Sequence, residues 1–184
     1  MILGSLFNMT FKLEPDFYFN TFYEVNISFL NEQKIKYIFT DVDNTLEPYE
    51  NPKPGKKVLN WLNELNANGI KVAIVSNNKR GRIDVFNQDL GLIAYSKAKK
   101  PFKKYISQAM HEMGAQKENS VFIGDQIFTD VLAAHNVGMR AILVPPIKDK
   151  KDFFTKFKRL LEKPILHKFL KKQNKAGHRE REDK

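Results

Sequence analysis

Seven side chains in this sequence are of types that handle phosphate and divalent metal, and they come in clusters along the chain. Asp41 and Asp43 stand two apart in Asp41-Val-Asp43-Asn44-Thr45. Ser76-Asn77 follows, then Lys100-Pro101, then Gly124-Asp125 with Asp130 five residues on. A hard cation such as Mg2+ takes carboxylate and carbonyl oxygens, and Asp41, Asp125 and Asp130 could supply them. A cation there would let the Asp41 carboxylate approach a phosphate without prohibitive repulsion. Asp41 can then attack phosphorus and form an aspartyl-phosphate. Asp43 can reach the leaving oxygen as general acid and later activate water. The Ser76 hydroxyl, Lys100 and backbone amides would balance charge on the transferring group.

Taken singly, each cluster has an ordinary explanation. Asp-x-Asp is common in turns, Ser76-Asn77 suits a helix cap, and Lys100 has basic neighbours at Lys97, Lys99, Lys103 and Lys104. Their placement after strands lifts them above that. Apolar runs at 35–40, 70–75, 92–95, 120–124 and 140–144 read as strands, and helical patterns fill 55–68, 80–90, 101–113 and 127–136. Gly69, Gly91, Gly114 and Gly138 sit where helices would end, and Pro54 and Pro101 where first-turn prolines belong. This alternation predicts an α/β fold, a mostly parallel sheet between two layers of helices. Ligands of such sheets bind at the carboxyl ends of the strands, where all four clusters fall.

On these motifs the chain resembles the haloacid dehalogenase (HAD) superfamily over about residues 35–145. The resemblance implies a Rossmann-like three-layer core, Mg2+ dependence and the aspartyl-phosphate route. It implies Asp41 as nucleophile and Asp43 as acid/base, the latter also lending a backbone carbonyl to the metal. Ser76 and Asn77 are implied to bind phosphate with Lys100, and Asp125 and Asp130 to complete the metal ligands. Residues 47–75 and 78–99 are too few to hold a cap domain, so the site should be open to a phosphate carried on something large. Glu14-Pro15-Asp16, a helix near 21–32, Ser76-Asn77-Asn78 and Lys100-Pro101 resemble the capless subfamily IIIA branch that includes phosphatidylglycerophosphate phosphatases. That implies removal of the terminal phosphate of phosphatidylglycerophosphate, with Lys79, Arg80 or Arg82 as candidates to contact lipid phosphate.

The 184 residues suit one ordinary domain, and the absence of cysteine excludes disulfides and cysteine-ligated zinc. Met1–Phe11 lacks the basic start and cleavage site of a secretory signal, and no apolar run approaches ~18 residues. The expectation is a cytoplasmic protein, free or on a membrane surface. Residues 148–184 carry eight of the ten net positive charges. There Phe153, Phe154, Phe157, Leu160 and Leu161 oppose Lys150, Lys151, Lys156 and Lys158 at helical spacing. The pattern resumes after Pro164 with Ile165, Leu166, Phe169 and Leu170. Two short basic amphipathic helices are expected, able to lie on an anionic bilayer or to pack on the sheet. The expected organisation is an N-terminal segment 1–34, a core 35–147 and a basic tail 148–184. A receiver-like signalling module is disfavoured by Asp43, which promotes turnover. A nucleic-acid binder lacks any signature beyond charge. A soluble phosphatase of small phosphomonoesters is the competing enzymatic reading. His111, His135, His167 and His178 show no ligand spacing and read as incidental.

Overall fold

The computed structural model describes residues 12–148 and 153–182, with side chains of the last segment described over 158–173. Six strands form one all-parallel sheet: β1 Phe17–Tyr18, β2 Tyr37–Thr40, β3 Lys71–Val75, β4 Ile93–Tyr95, β5 Ser120–Gly124 and β6 Arg140–Leu143. Their order is β1-β6-β5-β2-β3-β4. The helices are α1 Ile27–Glu32, α2 Lys56–Ala67, α3 Arg80–Asn87, α4 Lys104–Met113, α5 Leu132–Asn136 and α6 Phe153–Glu182. β2 is central, with β3 on one side and β5 on the other, so the chain order reverses beside it. That switch point is where an open parallel sheet leaves a crevice.

Both faces of the sheet are covered, which is why its strands read as continuous apolar runs rather than alternating ones. Ile38, Ile74, Val121 and Ile142 face one core with Leu30, Trp61, Leu65, Ile83 and Phe86 from α1–α3. Phe39, Ala73, Val75, Phe122 and Leu143 face the other, with Ile106, Ala109 and Met113 of α4 and Ala133 and Ala134 of α5. Ile165 and Leu166 of α6 pack against this second core, and Phe169 is buried. The loop 47–54 and α2 lie between β2 and β3, and α3 lies between β3 and β4. Among the described residues there is no cap.

Several expectations need correction. The sheet has a sixth strand, β1, paired in parallel with β6; two residues are too few for any periodicity to announce it. The helix expected near 21–32 is a 3-10 turn at Phe22–Glu24 followed by α1. The segment 127–136 opens as a π-turn, Ile127–Val131, before α5. Pro101 follows a cis peptide bond from Lys100, and α4 begins only at Lys104; Pro54 precedes Gly55, the N-cap of α2. The two C-terminal helices are one, because α6 runs through Pro164. A mid-helix proline costs about 3 kcal/mol. Contacts on both sides of it, from Glu162 before and Ile165, Leu166 and Phe169 after, hold the helix on. Phe153, Phe154, Phe157, Lys150, Lys151 and Lys156 lie outside the described side chains. The four loop glycines do take positive φ, and Gly114 caps α4 at φ 66°.

His135 is also not incidental. Its Nε2 lies 2.9 Å from Asp16 Oδ2, and its Nδ1 faces the Lys12 carbonyl. The Asp16 carboxylate also accepts from the Ala141 amide at 2.8 Å, fastening β1 to β6. Burial pushes the Asp16 carboxyl up, but hydrogen bonds from His135, Lys12 and Ala141 outweigh it and hold the pKa at about 2. A depressed pKa contributes stability above the unfolded value of 3.8, lost as pH falls through about 2. Asp16→Asn should therefore cost about 2 kcal/mol at neutral pH. Urea unfolding should show the gap between variant and wild type closing as pH falls below about 4.

Candidate active site

The site is built where β2, β3 and β5 end. Paired strands bring their last residues side by side, Thr40 beside Ile74 and Ile123, so the turns that follow converge. After β2 the chain folds tightly: the amides of Thr45, Leu46 and Glu47 all donate to the Val42 carbonyl. Asn44 takes a left-handed φ of 64°, which asparagine tolerates better than most residues. Glu47, buried, accepts from the Gly55 amide at 2.6 Å and Asn51 Nδ2 at 2.8 Å, folding the 47–54 loop back. Asp41 and Asp43 are thus held on a rigid turn.

The structure brings the seven sequence-picked residues together, in unequal ways. Lys100 Nζ is buried 2.8 Å from Asp130 Oδ1 and 3.4 Å from Asp41 Oδ2. Lys97 and Lys99 both adopt left-handed φ, 49° and 53°, in the turn that carries Lys100 inward. Such strain collects at functional sites. Asn77 brackets the lysine's backbone: its Oδ1 accepts from Lys100 N at 2.6 Å and its Nδ2 donates to Lys100 O at 3.1 Å. The Asn77 side chain therefore orients Lys100. Ser76 is buried, its hydroxyl accepting from the Asn78 amide at 3.3 Å.

Asp43 has partners whose pairing with it the sequence did not announce. Asn78 Nδ2 donates to its Oδ2 at 2.5 Å, and Arg82 Nε to its Oδ1 at 3.1 Å. Arg82 also donates to the Pro52 carbonyl, and its side chain is only 11% exposed. Of the three residues expected at a lipid phosphate, Arg82 is thus engaged with Asp43, while Lys79 and Arg80 are exposed. Thr45 Oγ1 donates to Asp125 Oδ1 at 3.3 Å, and Asp130 Oδ2 accepts from the Gln126 amide at 3.0 Å. Arg159 and Glu162 of α6 also reach this loop. Asn78 and Arg82 were marked in the sequence by nearness to Ser76-Asn77, whereas Arg159 and Glu162 carry no signal beyond their charge.

Carboxylate oxygens of Asp41, Asp125 and Asp130 all lie within 4.8 Å of one another, and all three residues are buried. Burial and the neighbouring Asp130 push Asp125 up to about 7, against the pull of Arg159. Burial also raises Asp130, although Lys100 opposes it. Burial works to lower the Lys100 ammonium, yet Asp130 and Asp41 outweigh it and hold its pKa above the ordinary value. Three buried carboxylates face two cations, Lys100 and Arg159, and this excess of negative charge, offered through oxygen, fits a small hard cation such as Mg2+. Ligand carboxylates must be deprotonated to bind a metal. Without metal, the raised Asp125 contributes stability below pH 3.8 that is lost as pH rises through about 7. The rise in melting temperature on adding Mg2+ should therefore grow between about pH 6 and pH 8.

Residues 18–144 match the family described as haloacid dehalogenase-like hydrolase. The chain belongs to this family. Among relatives of this haloacid dehalogenase-like hydrolase is the Bacillus subtilis protein named "Probable phosphatase YqeG". It is 38% identical over 152 residues, 83% of this chain and 88% of that one. The glyceraldehyde 3-phosphate phosphatase of Pyrococcus abyssi is 28% identical over 109 residues, 54% of this chain but only 44% of that protein. CbbY of Rhodobacter sphaeroides, solved with phosphate, shares the fold of this hydrolase. Its TM-score is 0.53 at 13% identity, covering 65% of this chain and 90% of that one. No helix among the described residues is long and apolar enough to cross a membrane.

Proposed function

We propose that the protein is a Mg2+-dependent phosphatase that works through an aspartyl-phosphate on Asp41. The observation that carries this reading is the juxtaposition of Asp41 with Lys100, Asp125 and Asp130, with Asp43 separately fixed two residues away. The phosphatase named for the Bacillus subtilis relative supports it. Asp41, Asp125 and Asp130 would hold the ion, with the Asp43 carbonyl. When bound, it supplies charge neutralisation at the phosphate. Asp41 then attacks phosphorus through one carboxylate oxygen while the ester oxygen departs with a proton from Asp43. Arg82 and Asn78 fix the orientation of the Asp43 carboxyl group. In the second half Asp43 takes a proton from water, which attacks the phosphorus of the aspartyl-phosphate and frees Asp41 and inorganic phosphate. Ser76 and Lys100 contact the transferring phosphoryl oxygens throughout.

The substrate we propose is phosphatidylglycerophosphate, converted to phosphatidylglycerol by a protein resting on an anionic membrane surface. Two features support it. Among the described residues no cap encloses a small substrate. A cleft of about 760 Å3 opens beside Asp125, between α6 and the 144–147 segment. Leu143, Val144, Pro146 and Leu160 line it with Lys163 and with Arg159, which is paired to Asp125 and Glu162, so among the described residues one free cation stands on an apolar wall. Leu160 is 61% exposed and Ile147 48%, which suits a rim that meets lipid. The deciding experiment measures phosphate release from phosphatidylglycerophosphate in mixed vesicles, with Mg2+ or EDTA, beside a soluble aryl phosphate and glyceraldehyde 3-phosphate. Metal-dependent turnover far faster on the lipid supports the assignment. Activity on the soluble esters alone keeps the phosphatase and removes the lipid.

A further inference from the structure

α6 lies outside the span that matches the hydrolase family, 18–144, yet two of its side chains reach into the loop bearing Asp125 and Asp130. The Arg159 guanidinium donates to both the backbone carbonyl and the Oδ2 of Asp125. One turn on, Glu162 Oε1 accepts from the Ile127 amide at 2.7 Å and the Phe128 amide at 3.3 Å. Glu162 Oε2 also receives Arg159 at 3.3 Å. Glu162 is buried and Arg159 mostly so. Burying an arginine and a glutamate is costly unless the contacts are good, and here they fall on residues 125–128 and on each other.

The contacts have a direction. Asp125 has two carboxylate oxygens, and Arg159 takes Oδ2 while Oδ1 is turned toward Thr45 of the catalytic turn. Bonding the carbonyl and the carboxylate of one residue from a planar fork fixes the side-chain torsion as well as the position. Glu162 satisfies two amides at the start of the π-turn, the stretch that sets the path from Asp125 to Asp130.

We propose that Arg159 and Glu162 are positioning residues for the metal site: α6 clamps the 125–130 loop so that Asp125 presents Oδ1 and Asp130 faces Asp41. The inference rests on the Mg2+-dependent reading above but not on the identity of the substrate. Neither residue touches the reacting atoms. Their contribution is to metal affinity, and partners of metal ligands typically contribute 10–100-fold.

Calorimetric titration of the full chain with Mg2+ tests this directly, alongside melting temperatures in EDTA. Arg159→Gln should weaken Mg2+ binding roughly 10- to 100-fold. Arg159→Lys should recover part of that loss, since an ammonium cannot bond both oxygens in the fork geometry. Glu162→Gln keeps the shape and still accepts through its carbonyl, but loses the charge on the two amides and Arg159. It should fall between Arg159→Gln and wild type, and it carries the test if R159Q does not fold. A purely structural role would lower the melting temperature in EDTA and leave the Mg2+ affinity of folded protein unchanged, which would overturn the proposal. Tighter Mg2+ binding in R159Q would overturn it too, because the guanidinium would then be a competitor for Asp125. If wild type itself takes up no Mg2+, the metal-dependent reading fails together with the clamp. Normal wild-type uptake with no activity on lipid leaves the clamp standing and removes only the substrate.

Discussion

Asp41→Asn should abolish turnover, by roughly 10^4-fold or more, while leaving the fold intact. An amide is nearly isosteric with the carboxylate, so Val42 N can still donate to the retained oxygen, as it does to Oδ1 at 2.8 Å. What disappears is the nucleophile and one metal ligand. The variant also removes one of three crowded buried carboxylates, easing the repulsion that lifts Asp125 and Asp130. Its melting temperature in EDTA should therefore equal or exceed that of wild type. Phosphate release against circular dichroism and a thermal melt separates the two effects. A large activity loss with an undiminished melt is the expected pair.

Among the described glycines, Gly124→Ala should be the most damaging. A Cβ on Gly124 would stand 2.3 Å from Asp130 Cβ and 2.4 Å from its Cγ. The Asp130 Cβ is fixed to the backbone of the π-turn and cannot swing aside. β5 is paired on both sides and cannot retreat either. Overpacking of this kind costs about 1–3 kcal/mol or more, and the relief available is displacement of Asp130 from the metal cluster. Mg2+ should then no longer raise the melting temperature, and activity should fall with it. Gly81→Ala is the control: nothing lies within 4 Å of its Cβ position near the start of α3. Alanine there should be neutral or gain up to about 1 kcal/mol, since helical glycine is entropically costly. Differential scanning with and without Mg2+ reads both variants.

The parts of this structure that were legible in the sequence are those that physics makes local. Tyr37–Thr40, Lys71–Val75 and Ser120–Gly124 announce themselves because a strand buried on both faces must be apolar along its length. The polar residues that interrupt those runs at Asp41, Ser76 and Asp125 stand out for the same reason. Lys100 was legible only through its place after Ile93–Tyr95, since nothing local marks a buried lysine among exposed ones. What was not legible depends on long-range meetings. β1 is two residues long and exists because Asp16 finds Ala141 and His135 more than a hundred positions away. Arg82 reads as one of three candidate phosphate contacts, and only the placement of α3 turns it onto Asp43. Arg159 and Glu162 belong to no motif, and only the docking of α6 turns them toward the 125–130 loop. Pro164 argued for a break because local propensity has no knowledge of Phe169 packing beyond it.

In the proposed reaction phosphate passes through Asp41 itself. The direct measurement is a single-turnover, acid-quenched reaction with substrate labelled in its terminal phosphate, followed by peptide mapping. A transient, hydroxylamine-labile acyl-phosphate is expected on the peptide bearing Asp41, formed with Mg2+, absent in Asp41→Asn and decaying as free phosphate appears. Full-rate phosphate release with no label on the protein, or with label on another residue, would contradict it.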